Sequence, residues 1–375
     1  MPFPPFVIRA VLMIFMLWVI GMNYKRGFVL SDKLILLFVA LQWLYCLIIN
    51  FSPEVSYTSV VNTSVAMLSF VFMSIMTRRA VIGNRFVTIA LVLFTIVSIF
   101  AYYNAELLLM TQFKRKAGTV TVNASVLYVM LLPLLFLVKS KKVSFSCFCV
   151  AVYFILISIK RGNILASCIP AALYLYTVMR GSSLKLWQKV MIIAMLGVLS
   201  VYITDIYDNN DYYQSRIEKT KKGNSSNRDI IYPEMWQLWA EKSTPLQFIA
   251  GYGYQGTYLN SSMHKLAHND WLELLVDNGF IGALLYFAIF VSICLMLRRL
   301  PRGNVMYALI SMIIIWLIKS VVSMGYTDEA LSLMALPYGV AVACVSERCK
   351  RGKQRRPKSG FSADSFHSAI QRVNQ

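Results

Sequence analysis

Charged residues are scarce in this sequence. Only 14% of its 375 residues are Asp, Glu, Lys or Arg, whereas 58% are hydrophobic. Because soluble domains carry about 25% charged residues, this composition excludes an ordinary soluble protein. Apolar stretches of about 17 to 20 residues recur along the chain, and each is long enough to cross the ~30 Å core of a bilayer as a helix. The sequence therefore predicts an integral membrane protein that crosses the bilayer many times.

The alternation of apolar and polar residues that is typical of a membrane β-barrel is also missing. Residues 127–138, for example, are apolar throughout, whereas a barrel strand alternates over about ten residues. We therefore predict an all-α fold, a polytopic transmembrane helix bundle of about eleven spans, within a range of roughly ten to twelve. The predicted spans are 6–22, 32–50, 59–77, 85–103, 119–138, 143–159, 163–179, 187–204, 280–297, 304–320 and 331–346.

Acidic residues are the rarer charged type, with 17 Asp and Glu against 37 Lys and Arg and a net charge of +20. In a membrane protein this excess marks the cytoplasmic side rather than a nucleic-acid partner, since short cytoplasmic loops are enriched in Lys and Arg. Placing the basic turns near Arg26, Arg79, Lys141, Arg180 and Arg299 in the cytoplasm puts the longest loop on the outer face. We divide the chain into spans 1–8 at 1–204, a large extracytoplasmic loop at 205–279, spans 9–11 at 280–346, and a basic cytoplasmic tail at 347–375 that rests on anionic lipid.

Cysteine is absent from that outer loop, and the chain has no Asp-x-Asp sequence. Neither a disulfide framework nor a CxxC metal site is therefore indicated, and we expect no metal and no cofactor. All seven cysteines lie in predicted spans or in the tail: Cys46, Cys147, Cys149, Cys168, Cys294, Cys344 and Cys349.

The outer loop is rich in acidic residues and histidine, which are scarce in the predicted spans. Residues 205–279 contain ten of the 17 acidic residues and two of the three histidines, so this loop is the candidate active region. Within it, Pro233 suits the first turn of a helix, and Met235, Leu238 and Trp239 share one face of it. We expect a short amphipathic helix on the membrane surface that ends near residue 245.

Residues 251–256 read Gly-Tyr-Gly-Tyr-Gln-Gly, which is formally a GxGxxG string. A dinucleotide site is rejected, because that motif requires a strand–turn–helix unit and an outer loop between two spans offers none. A flexible glycine turn lined by aromatic residues is one interpretation. Stacking of a sugar on Tyr252 or Tyr254 is the other.

A tight hairpin is predicted around Lys160 and Arg161, because residues 143–179 are too short for two spans and a real loop. Two cations on the outer side oppose the positive-inside tendency, so we expect a negatively charged group to compensate their charge. A pyrophosphate at the outer surface would be such a group, since Arg forms bidentate, charge-assisted bonds with phosphate oxygens. The alternative is that both side chains reach lipid headgroups.

The loop ends in His268, Asn269, Leu272 and Glu273, followed by Gly-x-x-Gly at Gly279 to Gly282, and this order resembles the O-antigen ligase and O-antigen polymerase family. The Lys160-Arg161-Gly turn is similar to the family's Ser-Arg-Gly turn, with lysine in place of serine. The family loop also tends to hold an Arg, a Trp-bearing helix, Pro-Leu and Gly-x-Gly. Over about 160–290 the chain matches this order with Arg228, Trp236, Pro245-Leu246 and Gly251-Tyr-Gly253.

The resemblance implies a membrane enzyme that transfers a glycan from a polyprenyl-pyrophosphate donor, with inversion and without metal. It implies His268 as the catalytic group acting on the acceptor hydroxyl, in line with the pKa of histidine, and Arg161 and Arg228 as catalytic cations holding the leaving pyrophosphate. Asp270, Glu273 and Asp277 share a helix face if the helix starts near Asn269; they orient His268 or a sugar hydroxyl, or else form a solvated acidic first turn. The candidate substrate-binding residues are Lys160, Asn269, Asp270, Glu273, Asp277, Tyr252 and Tyr254.

Several functions remain open at this point. We prefer a polymerase of O-antigen, capsule or exopolysaccharide repeat units over a ligase that joins a glycan to lipid A core, and both acceptors are retained. A lipid-linked-glycan flippase without catalysis is a third hypothesis, and a membrane scaffold is a fourth. The expected location is the bacterial inner membrane with the loop on the periplasmic face, in contact with membrane lipid. A separate flippase and a chain-length regulator are candidate partners.

Overall fold

In a computed structural model, residues 5–49, 57–79, 83–113, 122–158, 160–181 and 227–355 are described, together with residues 197, 201, 214 and 218. Over these residues the chain forms helices and turns and no strand, which confirms the predicted all-α fold. Eight of the described helices are long and apolar enough to cross a membrane. The predicted span 187–204 and the first part of the predicted outer loop, up to residue 226, fall almost wholly outside the described residues.

Thirteen α-helices are numbered here within the described ranges. The bounds of the first seven are α1 Pro5–Met22, α2 Leu30–Leu44, α3 Tyr57–Arg78, α4 Asn84–Phe113, α5 Val126–Leu135, α6 Lys141–Ile157 and α7 Arg161–Gly181. Those of the last six are α8 Arg228–Ala240, α9 Pro245–Ala250, α10 Gly256–Asn260, α11 Asp270–Leu297, α12 Asn304–Val322 and α13 Ala335–Arg355. A π-helical turn, Tyr45–Ile49, extends α2, and 3-10 turns, Asn123–Ser125 and Glu329–Met334, precede α5 and α13.

Helix α3 lies at the centre of the bundle and packs against α1, α2 and α13. Small residues allow this close approach, as in other membrane helices: a side chain at Gly339 of α13 would meet the Met73 carbonyl of α3, and Thr77 donates to the Gly339 carbonyl at 2.7 Å. Phe70 of α3 packs against Trp316 and Tyr338, with ring centroids 5.3 and 5.4 Å apart. The bundle core is therefore built around α3.

Many large apolar side chains remain exposed on the outer helices, which fits contact with lipid. In α1 Trp18 is 61% exposed, and in α4 Phe100 is 67% exposed. Apolar helices with such faces indicate an integral membrane protein, as the composition predicted.

Helix α11 begins at Asp270, ten residues before the predicted span 280–297. The sequence-based expectation of a helix start near Asn269 is confirmed: the Asn269 side chain caps the helix by accepting from the amides of Trp271 at 3.0 Å and Leu272 at 3.2 Å. The backbone breaks at Gly279, whose φ is 63°. The last part of the outer loop is therefore a helical extension of the span.

Helix α8 begins at Arg228, so the prediction that Pro233 lies in a first turn was wrong. Pro233 lies inside the helix. The predicted apolar face is present, since Met235 and Trp239 are buried and Leu238 packs against them. The helix ends at Ala240, before Thr244 caps α9.

Candidate active site

A cavity of about 640 Å³ lies where several helix ends meet. The cavity is lined by the N-terminal end of α3, the start of α5 and residues of the segment 323–330. Three single residues also line it: Lys160 before α7, His268 before α11, and Lys319 near the end of α12. Lys160 and His268, which the sequence singled out from distant motifs, thus face the same space. The cavity is the candidate active site.

The electrostatics of this cavity favour an anion. The N-terminal ends of α3 and α5 line the cavity, Lys160 immediately precedes α7, and His268 lies two residues before α11. A helix N-terminus carries a partial positive charge of roughly half a unit, which favours phosphates, although the first amides of α11 are already bound by Asn269. Lys160 and Lys319 add full positive charges, and the cavity carboxylates of Asp328 and Glu329 are paired with Lys319 and Arg9.

The backbone of His268 is held in a strained conformation. Its φ of 55° lies in the left-handed region, which costs a non-glycine residue free energy. The surroundings impose this conformation: the His268 amide donates to Glu273 Oε1 at 2.8 Å, the next residue caps α11, and the preceding Ala267 is fully buried. The backbone of His268 is thereby fixed at the edge of the cavity, which the residue lines.

The pKa of His268 is lowered from its ordinary value of 6.5. Desolvation by the cavity walls is the main cause, and the positive charges of Arg228, Lys160, Lys319 and Lys265 add to it. Both effects disfavour the imidazolium form. His268 is therefore neutral near pH 7, the form that can accept a proton.

The lowered pKa predicts the pH range in which His268 could act as a general base. A histidine base acts only when it is neutral, so kcat/KM of a reaction in which His268 accepts the proton should rise with pH and reach a plateau, with the midpoint of the acid limb below pH 6.5. The profile should be measured for transfer by purified protein in lipid nanodiscs. A midpoint at or above 6.5 would contradict the lowered pKa of His268.

Glu273 is 1% exposed and binds the backbone of His268 rather than facing the cavity. Asp270 is fully buried and accepts from the Tyr286 hydroxyl at 2.7 Å and from the amides of Gly325 at 2.8 Å and Tyr326 at 3.2 Å. It therefore ties the start of α11 to the loop after α12. These contacts favour a positioning role for both carboxylates over direct substrate binding.

Asp277 is also buried and accepts from the amide and hydroxyl of Thr257, at 2.7 and 2.8 Å. It attaches α10 to α11. Among the described residues that line the cavity, none is Asp270, Glu273 or Asp277. The alternative of a solvated acidic first turn does not fit either, because all three carboxylates are removed from water.

The two tyrosines of the glycine string are engaged in packing. The Tyr252 hydroxyl donates to the Leu238 carbonyl at 2.9 Å, which ties this turn to α8. Tyr254 is 4% exposed, donates to Ser59 Oγ at 2.9 Å, and has a pKa raised by burial. Since Ser59 lines the cavity, Tyr254 supports the cavity wall from behind. This placement favours the glycine-turn interpretation over sugar stacking.

The turn at residues 251–253 packs against the backbone of α11 where that helix is broken at Gly279. The break at Gly279 frees the carbonyls of Val276 and Asp277, which accept from the amides of Tyr252 at 2.8 Å and Gly253 at 3.0 Å. A Cβ on Gly279 would lie 2.3 Å from the Ile249 carbonyl oxygen, and a Cβ on Gly251 would lie 2.4 Å from that of Asp277. The two backbones touch directly at these glycines.

Arg228 is the first residue of α8, and its charge acts on both His268 and Tyr232. Its Nε is buried and has no hydrogen-bond partner within the described part of the chain. A buried donor of this kind needs an acceptor, and a bound anion would provide one. Arg161 is exposed at the start of α7, next to Lys160, and is not among the described residues that line the cavity.

Lys319 is a cavity residue that the sequence did not single out. It lies in the last turn of α12 and is only 2% exposed. The available signal was a lysine near the end of an apolar stretch, a pattern equally typical of a side chain that reaches the headgroups. Its burial depends on the loop that Asp270 holds in place.

The N-cap at Asn269 offers a test of this positioning. Asn269→Ala should destabilise the fold by about 1 kcal/mol and loosen the backbone of His268, because two helix amides lose their acceptor. Asn269→Ser should retain most of both properties. Melting of the purified protein and its transfer rate should be measured together; equal rates for wild type and Asn269→Ala would contradict the role given to the cap.

Comparison with known proteins gives one match. The family described as O-antigen ligase matches residues 145–287. A search of curated proteins finds no match. The matched segment contains the Lys160-Arg161 turn, Arg228, His268 and both glycines of the Gly-x-x-Gly sequence. Members of the family are ligases and polymerases that act on glycans, so the match supports a membrane enzyme in general. The resemblance predicted from the sequence motifs is confirmed by this match, which covers residues 145–287.

Proposed function

We propose that this protein transfers a glycan from a polyprenyl (undecaprenyl) pyrophosphate donor to an acceptor hydroxyl on the outer face of the bacterial inner membrane. The observation that carries the proposal is the cavity in which His268 faces Lys160 among helix N-terminal ends. Such a cavity suits an anionic pyrophosphate next to a neutral base. The polyprenyl chain stays in the surrounding lipid.

The reaction follows from these groups. His268 takes the proton of the acceptor hydroxyl, whose oxygen attacks the anomeric carbon of the donor sugar. The bond between that carbon and the pyrophosphate oxygen breaks with inversion, and the pyrophosphate leaves with the electron pair. Lys160, Arg161 and Arg228 stabilise the charge that develops on it. Because this leaving group is already a good one, the reaction needs cations more than an acid.

A polymerase that joins repeat units is the preferred activity. The ligase that joins a glycan to lipid A core is the second candidate, and the family match supports transfer of either type. The two activities differ in the acceptor, and deletion of the gene in its native host separates them. Surface polysaccharide and lipid-linked intermediates should be analysed by gel and mass spectrometry: single repeat units on the core indicate a polymerase, whereas long chains left on polyprenyl pyrophosphate indicate a ligase.

Arg161 and Arg180 form a matched pair for this test, because both are exposed arginines at the two ends of α7. Arg161→Ala should fail to restore the polysaccharide in the deletion strain, whereas Arg180→Ala should restore it. Membrane levels of each variant are measured by immunoblot. Full restoration by Arg161→Ala at normal levels would remove Arg161 from the mechanism, and full restoration by both Arg161→Ala and His268→Ala would favour a flippase or scaffold.

A further inference from the structure

Lys319 is buried next to the reacting groups and is weakly paired. Its residue is 2% exposed, it lines the same cavity as His268 and Lys160, and its charge acts on His268. Its Nζ lies 3.4 Å from Asp328 Oδ2 and 3.4 Å from Ser323 Oγ. A charge-assisted hydrogen bond between an ammonium and an oxygen is normally about 2.7–2.9 Å long, so both contacts are long.

The backbone restrains Asp328. Its Oδ1 accepts from the Ala330 amide at 3.0 Å and caps the 3-10 turn Glu329–Met334, while Oδ2 faces Lys319. The neighbouring Glu329 pairs with Arg9 at 2.7 Å. Asp328 therefore supplies the cavity carboxylate that is paired with the Lys319 ammonium, while its other oxygen is engaged in the cap; the buried Asp270 lies outside the cavity lining and also interacts with the Lys319 charge.

A buried ammonium has three donors and requires close acceptors to offset its desolvation. A phosphate group offers several oxygens and more charge than one carboxylate. It also carries no backbone tether, so it can approach Lys319 to a normal hydrogen-bond length. The cavity, with Lys160 and the helix N-terminal ends around it, has room for such a group beside His268.

We propose that Lys319 is a further residue that binds the donor's phosphate, and that Asp328 is a resident counter-ion which the phosphate displaces. This inference rests on the proposed function and adds to it a residue from α12, outside the segment that matches the family. Asp328 is thus an internal competitor of the donor: it keeps Lys319 paired in the empty site and weakens donor binding.

Two variants distinguish a phosphate-binding Lys319 from a Lys319 that only forms a structural ion pair, and the two hypotheses give opposite expectations for Asp328→Asn. If the pair only holds the loop, Lys319→Gln and Asp328→Asn should be equally harmful. If Lys319 binds phosphate, Lys319→Gln should weaken binding of inorganic pyrophosphate by roughly 10- to 100-fold, because a hydrogen bond to a charged group is lost. Asp328→Asn keeps Oδ1 for the cap and loses the charge, so it should bind pyrophosphate several-fold more tightly.

The experiment is calorimetric titration of inorganic pyrophosphate into the full chain in lipid nanodiscs, with melting temperatures recorded for each variant. Lys319→Arg is the conservative control and should bind within a few-fold of wild type. If Lys319→Gln does not fold, Asp328→Asn decides: tighter binding supports the proposal, and equal or weaker binding overturns it. Weaker binding by both variants, with lowered melting temperatures, also overturns it.

Failure of this inference is distinguishable from failure of the proposed function. If wild type binds pyrophosphate, Arg161→Ala loses that binding, and both Lys319→Gln and Asp328→Asn bind like wild type, only the role of Lys319 is wrong. If wild type binds no pyrophosphate and the deletion strain keeps a normal polysaccharide, the proposed function itself is wrong and this inference falls with it.

Discussion

His268→Ala is expected to lower the rate of glycan transfer by roughly 10²- to 10⁴-fold, the usual contribution of a general base. The side chain opens onto the cavity and has a lowered pKa, so its loss removes the proton acceptor without disturbing a packed core. Donor binding should change little, because the cations that bind pyrophosphate remain. The measurement is single-turnover transfer from a lipid-linked donor by purified protein in nanodiscs.

His264 provides the matched control. It is also an exposed loop histidine with a positive φ of 47°, and it packs against Tyr258 and is not among the described residues that line the cavity. His264→Ala should retain a rate within a few-fold of wild type. If both variants transferred at the wild-type rate, or if both lost activity to the same extent, His268 would not be the base.

Gly279→Ala is expected to destabilise the folded state by about 3 to 4 kcal/mol. A left-handed conformation costs a non-glycine residue roughly 1 to 2 kcal/mol, and a Cβ 2.3 Å from the Ile249 carbonyl oxygen forces the two backbones apart. That separation breaks the two hydrogen bonds from Tyr252 and Gly253, each worth about 1 kcal/mol. Because folded proteins are stable by only about 5 to 15 kcal/mol, much of the protein should be lost from the membrane.

Fluorescence-detected size exclusion of detergent extracts measures this loss. Gly251→Ala should behave in the same way, since its Cβ would meet the Asp277 carbonyl from the other side. Gly21→Ala is the control, because a Cβ there meets no heavy atom within 4 Å. A monodisperse Gly279→Ala protein at wild-type levels and melting temperature would contradict the contact between the two backbones.

Hydropathy predicted the helices well because a backbone in lipid must satisfy its own hydrogen bonds, and a helix does so within one segment. Spans 6–22 and 304–320, for instance, correspond to α1 and α12. Hydropathy marked only the apolar part of α11, from residue 280, since the first turns of the helix carry three acids. Those acids are buried because amide and hydroxyl donors reach them from distant segments, such as Gly325 for Asp270 and Thr257 for Asp277. Tertiary contacts of this kind leave no local pattern.

The candidate site was predictable in part. Lys160 was found through its position in a tight hairpin on the outer side and His268 through a family motif, and they face one cavity. The roles of Glu273 and Tyr254 were less accessible, because a sequence does not tell whether a polar side chain faces a ligand or its own backbone. Lys319 was missed for the same reason: only the folded loop after α12 turns a lysine at a span end into a buried cation.

The hydrogen bonds of Asp270 couple two sides of the cavity, the start of α11 and the loop after α12. The carboxylate lies two residues after His268, and it grips the amides of Gly325 and Tyr326 in the loop that runs from Ser323 to Asp328. A change in the length of that loop would therefore move the histidine, although the loop and the imidazole belong to different segments of the chain. Such an insertion would alter both of these cavity walls at once, whereas Asp270 makes no hydrogen bond to the wall formed by α3 and α5.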